Sequence, residues 1–272
     1  MREEIPNISE DIVPFSVADM EFKNAPEIVE GLKAYLDTSI LGYTHATDAY
    51  YDAVAGWMER RHGFLPKKEW FVEFAGVVPA LRQMVGAFTK PGDSVLIMTP
   101  VYNPFRMAAT ANGCHVVESE LLETNGRYEI DFADFEEKAA REDVKVFILC
   151  SPHNPVGRVW TEEELRRIAE ICVAHDVFVL SDEIHFDLIM PGYRHVSMMT
   201  LDEKYRDNCA VCTSPGKTFN LAGLQASNIF IADDARRKAV ENARGRFSLN
   251  ALSYKATELA YTRCDGWVTE ML

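Results

Sequence analysis

Apolar residues along the chain follow two spacings. Short runs centred on adjacent apolar residues predict strands: FVEFA (71–75), SVLIM (94–98), HVVESE (115–120), VKVFILC (144–150), VFVLS (177–181), CAVCTS (209–214) and NIFIA (228–232). Elsewhere the spacing is that of one helix face. Tyr50, Ala53, Val54, Trp57 and Met58 lead to a stop at Gly63, and Leu165, Ile168, Ala169 and Cys172 follow a capping-box pair, Thr161 with Glu164. From Glu69 onward the two patterns alternate, which predicts an α/β fold: a three-layer α/β/α sandwich around a mostly parallel seven-stranded sheet. Residues 1–65 read as an N-terminal arm and helix, 66–247 as the sheet domain. The last stretch, 248–272, reads as a helix broken near Asp265 and Gly266 that ends at Leu272 without a C-cap.

Composition narrows the function classes. The chain has 272 residues, 47% of them hydrophobic, enough for one large core, and its formal charge of −14 disfavours a nucleic-acid partner. The opening MREEIPNISEDIVPF is acidic and lacks the apolar core of a secretory signal. No apolar run approaches the roughly 20 residues that span a bilayer, so the expectation is a soluble cytoplasmic protein without a membrane partner. Six cysteines in a chain this long read as reduced thiols. Cys209 and Cys212 have metal-ligand spacing but no second pair, and they sit in a strand-like run, so they read as core and no metal is expected.

Ligands of open α/β sheets gather beyond the carboxyl ends of the strands. Here those positions carry unusual chemistry: GVVPAL after the first run, TPVYNPF after the second, SPHNPVG after VKVFILC, DEIH after VFVLS, and PGKTFN after CAVCTS. A helix start led by glycine, an aromatic ring, an amide, a carboxylate and a lysine therefore meet at one edge. That set suits pyridoxal 5'-phosphate, which needs a lysine for its aldehyde, an acid for its ring nitrogen and free N–H groups for its phosphate.

The order and spacing of SPHNPVGRVW, SDEIHFDL and SPGKTFNLAGLQASN resemble the class I/II aminotransferase superfamily of fold-type I pyridoxal phosphate enzymes. With VADMEF (17–22) and GYTHATDAYYDAVAGWM (42–58), the chain looks most like the cystathionine beta-lyase branch, carbon–sulfur lyases acting on cysteine conjugates. The resemblance covers essentially the whole chain and implies an aminotransferase-like large domain. It makes Lys217 the catalytic lysine that carries the cofactor and moves the substrate's α proton. Asp182 becomes the partner of the pyridine nitrogen, Asn154 that of the phenolic oxygen, and Tyr102 the ring stacked on the cofactor. Gly76, Val77, Val78 and Ser214 become phosphate holders. His185 occupies a position where many aminotransferases carry tyrosine and is either a cofactor contact or a structural histidine. Tyr43 matches a tyrosine that reaches the neighbouring subunit's phosphate, implying a homodimer.

One departure is Gln225, eight residues after Lys217, where many aminotransferases carry an arginine. This fits the lyase branch better than a classical aspartate aminotransferase. The implied reaction is α,β-elimination on cystathionine or a cysteine conjugate; the alternatives are transamination and a non-catalytic regulatory role. The resemblance also implies that 248–272 begins a linker to a small C-terminal domain holding the substrate-carboxylate arginine. Without that domain, turnover is expected to be impaired and Leu252, Leu259 and Trp267 to lack cover.

Overall fold

The central strands of the main sheet are buried on consecutive positions because both of their faces are covered, whereas the edge strand 115–120 alternates between buried and exposed. The computed structural model describes residues 18–272; the acidic opening and Val17 of the VADMEF stretch lie outside them. The strands are β1 (Phe71–Ala75), β2 (Ser94–Thr99), β3 (His115–Glu120), β4 (Leu122–Thr124), β5 (Arg127–Glu129), β6 (Val144–Cys150), β7 (Phe178–Asp182), β8 (Cys209–Thr213) and β9 (Ala226–Ile231). Seven form one sheet in the order β1-β9-β8-β7-β6-β2-β3. All pairings are parallel except those of β9, which runs antiparallel to both β1 and β8.

Alternation along β6 shows the layering. Val146, Ile148 and Cys150 pack with Val77, Leu81, Met84, Phe105 and Val240, from helices 77–88, 104–110 and 234–244. Phe147 and Leu149 face the opposite cluster, with Trp57, Phe135, Leu165 and Ile168. Burial on both sides explains why these strands read as continuous apolar runs. The three-layer sandwich predicted from the spacing is the observed architecture.

Local signals operate as expected. Helix Glu162–Ala174 begins at a closed capping box, with the Glu164 N–H donating to Thr161 Oγ1 at 3.2 Å and the Thr161 N–H donating to Glu164 Oε2 at 2.8 Å. Helix Asp48–His62 ends at Gly63, whose φ of 74° lets the chain turn where a side chain is disfavoured. Cys209 and Cys212 are buried on β8, and all six cysteines are free buried thiols.

Four expectations are corrected. NIFIA starts two residues late and runs one too far, because β9 already pairs with β1 from Ala226 and Ser227, opposite Ala75 and Phe74, and ends at Ile231. VFVLS begins a residue too early, because the Val177 N–H donates to Cys172 O at 2.8 Å in the preceding turn, while Asp182 stays in the sheet opposite Cys150 and Cys212. Ser214 leaves its strand to cap the next helix. The last segment does not leave Leu259 bare: it is 1% exposed and touches the helix Pro26–Thr38 at Gly31, while Leu252 and Trp267 are half-buried. The hydrophobic cluster holding Leu259, Tyr261 and Val268 also holds Ile28, Trp57 and the strand residues Leu96 and Val179, so both ends of the described chain share the core of the sheet.

Candidate active site

The carboxyl ends of β1, β6, β7 and β8 open into one cavity of about 530 Å³. Nine of the ten expected site residues line it: Gly76, Val77, Val78, Tyr102, Asn154, Asp182, His185, Ser214 and Lys217.

Each side chain is delivered by a local device. Gly76 has φ 102° and ψ 153°, a conformation that L side chains rarely adopt, and it starts the helix Val77–Phe88 directly after β1. The first-turn amides of Val77 and Val78 have no partner within a helix and lie at its positive end, so the cavity wall there suits an anion. Across the cavity, the loops after β2 and β6 hold each other. The Tyr102 N–H donates to Asn154 O at 3.1 Å, and His153 Nε2 donates to Pro100 O at 3.0 Å. The Asn154 N–H reaches Cys150 Sγ at 3.3 Å.

Lys217 lies in the four-residue helix Pro215–Thr218. Ser214 caps that turn: its Oγ accepts the Gly216 N–H at 2.9 Å and donates to Ala226 O on β9 at 2.6 Å. Lys217 Nζ donates to Ala18 O at 3.2 Å. The segment 18–24 is also laced to the residues after the lysine: Asn24 donates to Phe219 O and Asn220 O at 2.9 Å each, and Asn220 Nδ2 donates to Met20 O at 3.0 Å.

Burial sets the electrostatics. The Asp182 carboxyl is pushed up to about 7, chiefly because it is removed from water; one hydrogen bond from the Ile184 N–H, at 3.1 Å, works the other way. Burial lowers the pKa of His185, and the charge of Lys217 lowers it further. Both forces favour neutral imidazole. Burial also keeps the Cys150 thiol protonated, which removes it as a nucleophile.

Several participants escaped the sequence reading. Ala18 lines the cavity and supplies the carbonyl facing Lys217. Asp187, in the quoted DEIHFDL stretch, is buried behind the cavity and binds Thr218, the residue after the lysine. A carboxylate set between the apolar Phe186 and Leu188 is the local signal that marks it. Gln225, already singled out in the sequence as standing where many aminotransferases carry an arginine, lines the cavity with left-handed backbone, φ 54°. Among the described residues that line the cavity, Lys217 carries the only Lys or Arg cation. Arg106 pairs with Glu118 at 2.6 Å, Arg158 with Glu164 at 2.7 Å, and Arg244 donates to Glu73 O at 2.8 Å. Tyr43 stands apart: it is fully exposed and lines a separate cavity of about 410 Å³ with Leu41, His45 and Ser248–Leu252.

A mostly parallel sheet with an amine, a buried carboxyl and a helix N-terminus at its carboxyl edge defines the class, and the sequence agrees. Residues 10–264 match the family described as aminotransferase class I and II, and the chain belongs to that family. It is 44% identical over 265 residues to the cystathionine beta-lyase PatB of Bacillus subtilis (strain 168), covering 96% of this chain and 68% of the relative. Among solved structures it superposes on cystalysin from Treponema denticola with a TM-score of 0.96 at 45% identity, covering 99% of this chain and 69% of that one. That structure contains a pyridoxal 5'-phosphate cofactor. A pyridoxal phosphate-bound C–S lyase from Staphylococcus hominis matches with a TM-score of 0.89 at 37% identity, covering 94% and 65%.

Proposed function

We propose that this chain is a pyridoxal 5'-phosphate-dependent carbon–sulfur lyase that performs α,β-elimination on cystathionine or a related cysteine conjugate. The observation that carries the reading is the single cavity lined by Lys217, the buried Asp182 and the open helix start at Gly76–Val78. Its residues fit the cofactor: an amine for the aldehyde, a carboxyl for the ring nitrogen, free N–H groups and the Ser214 hydroxyl for the phosphate, and the Asn154 amide for the phenolic oxygen. Tyr102 supplies a ring for stacking, and His185 a neutral imidazole beside it.

When bound, the cofactor supplies an electron sink for the pair left on the substrate's α carbon. This chain's residues do the rest. Lys217 takes the α proton as a base. Asp182, ionised against a protonated ring nitrogen, keeps that positive charge in place, and the cavity walls hold the α C–H bond in a fixed orientation. As the Cβ–S bond breaks with its electron pair leaving on sulfur, the pair left on the α carbon forms the Cα=Cβ bond. The sulfur departs as a thiol once protonated, the enamine takes a proton at Cβ to become the imino acid, and water hydrolyses that to pyruvate and ammonia.

The names of the similar proteins support this reading, and the family's breadth keeps transamination as the second one, since an arginine–pyruvate transaminase of Pseudomonas aeruginosa is also 31% identical over 221 residues. Purified protein loaded with pyridoxal phosphate and given cystathionine separates them. Thiol and pyruvate appearing without any oxoacid acceptor is the expected result; strict dependence on an acceptor overturns the lyase assignment.

A homodimer belongs to the same proposal. Ile40, Leu41 and Tyr43 are 95%, 57% and 108% exposed, a cluster suited to a second copy in which Tyr43 reaches the partner's phosphate site. A cytoplasmic location accords with the six unpaired thiols, and no helix among the described residues is long and apolar enough to cross a membrane.

A further inference from the structure

We propose that Asp187 is a positioning residue for this reaction: through Thr218 its buried carboxylate fixes the turn that carries Lys217, and so sets the distance between that amine and Asp182. The inference rests on the lyase reading above.

Three donors converge on this one side chain. Thr218 Oγ1 donates to Asp187 Oδ2 at 2.7 Å, His62 Nε2 lies 2.7 Å from Oδ1, and Trp57 Nε1 donates to both oxygens at 3.1 and 3.2 Å. All four residues are buried, Trp57 and Thr218 completely. Removing a carboxylate from water is costly, and apolar residues of similar volume hold a core together as well or better, so core stability alone is a poor reason for this group. Its distinguishing contribution is geometric, because hydrogen bonds to a carboxylate are short and directional.

The turn needs such a fixture. Helix Pro215–Thr218 has four residues, too few to hold its own shape. Ser214 pins its first end to β9, and Asp187 pins its last residue, with Lys217 adjacent to that pin. Asp187 also lies five residues after Asp182, in the stretch that brings Asp182 and His185 to the cavity. One segment therefore presents the acid for the ring nitrogen and anchors the turn that presents the amine. His62 and Trp57 tie that segment in turn to the helix Asp48–His62, beneath an aromatic cluster in which Trp57 stacks on Tyr261 at 5.0 Å and meets Phe219 at 5.5 Å. A shift of the anchor moves the amine relative to the acid without touching either.

The test compares the wild type, freed of cofactor for the attachment measurement and loaded with it for the kinetics, with Thr218→Val, which removes only the hydroxyl, Thr218→Ser, which restores it, and Asp187→Asn, which leaves one donor facing an amide NH₂. The readouts are the rate at which added pyridoxal phosphate becomes covalently fixed to Lys217 (quenched with borohydride and mapped by mass spectrometry), kcat and KM for elimination, and the melting temperature. Thr218→Val is expected to slow attachment and lower kcat by about tenfold or more, with KM nearly unchanged, because small misplacements of a reacting group are expensive. Its melting temperature should fall by only about 3 °C, the effect of losing one hydrogen bond in a chain of this size. Thr218→Ser should recover most of the rate, and Asp187→Asn should lose at least as much as Thr218→Val. Wild-type attachment and kcat in Thr218→Val overturn the inference while leaving the lyase reading intact. So does a loss that Thr218→Ser fails to restore. Failure of wild-type Lys217 to take the cofactor overturns both.

Discussion

Asp182 is a carboxyl with two contradictory requirements. It is buried deeply enough that its pKa is pushed up to about 7, yet its proposed task needs it ionised. A protonated ring nitrogen resolves the conflict, because an adjacent positive charge favours the carboxylate. Without cofactor the burial remains uncompensated, and this has a measurable consequence. A carboxyl whose folded pKa lies above its unfolded 3.8 contributes stability that is complete below that value and is lost as pH rises through about 7. Between pH 5 and pH 8 the cofactor-free protein should therefore lose about 2–3 kcal/mol through this group, and Asp182→Asn, which does not titrate, should not. Urea unfolding of both proteins at the two pH values checks it; parallel pH profiles contradict the burial argument. The same variant, loaded with cofactor, should lose orders of magnitude in elimination rate, since an amide accepts a hydrogen bond but does not hold the ring nitrogen protonated. Equal rates would reduce Asp182 to a turn residue.

At the scale of elements, the cavity depends on how strands hand over to helices, and the sharpest handover is β1 to Val77–Phe88 through Gly76. A Cβ at Gly76 would meet only the Pro79 ring, Cδ at 3.6 Å and Cγ at 4.0 Å, both ordinary contacts, so Gly76→Ala isolates the backbone effect at φ 102°. The expected cost is about 1–3 kcal/mol of stability. Rotation of the first helical turn to relieve it would turn the Val77 and Val78 amides from the phosphate, so cofactor dissociation should accelerate as well. Thermal melting and a dialysis time course measure the two effects; a variant unchanged in both contradicts the assigned role. Elements of this kind were legible where one local rule decides them, as with the Thr161–Glu164 capping box, the Gly63 stop and the doubly covered strands. The hairpin β4–β5 was missed although its turn, Asn125-Gly126, has φ of 53° and 79° and carries the Asn-Gly signal of a two-residue hairpin. Its strands have three residues each and are largely exposed, so no apolar run drew attention to them.

Across the whole molecule, the sheet gathers residues drawn from Ala75 to Ala226 of the sequence into one cavity, because its parallel strands all end at the same edge. That rule made the site readable: nine residues expected from positions just after strands, or from family motifs, line a common space. What stayed hidden depends on contacts between distant segments. The Ala18 carbonyl facing Lys217 joins residues 199 apart, and Asp187 meets Trp57 and His62 across more than a hundred residues. No local period encodes such pairings. Nor did the sequence reveal that Gly31 offers the space occupied by Leu259, through which helix Ala251–Arg263 joins the core.

The central claim is that this cavity is a pyridoxal phosphate site built around one lysine. The most direct measurement is peptide mapping of protein incubated with pyridoxal 5'-phosphate and reduced with borohydride, alongside Lys217→Ala treated identically. The account predicts a yellow protein whose reduced cofactor maps to the peptide containing Lys217, and no specific label in the variant. Label on another lysine, or equal label in Lys217→Ala, would contradict it.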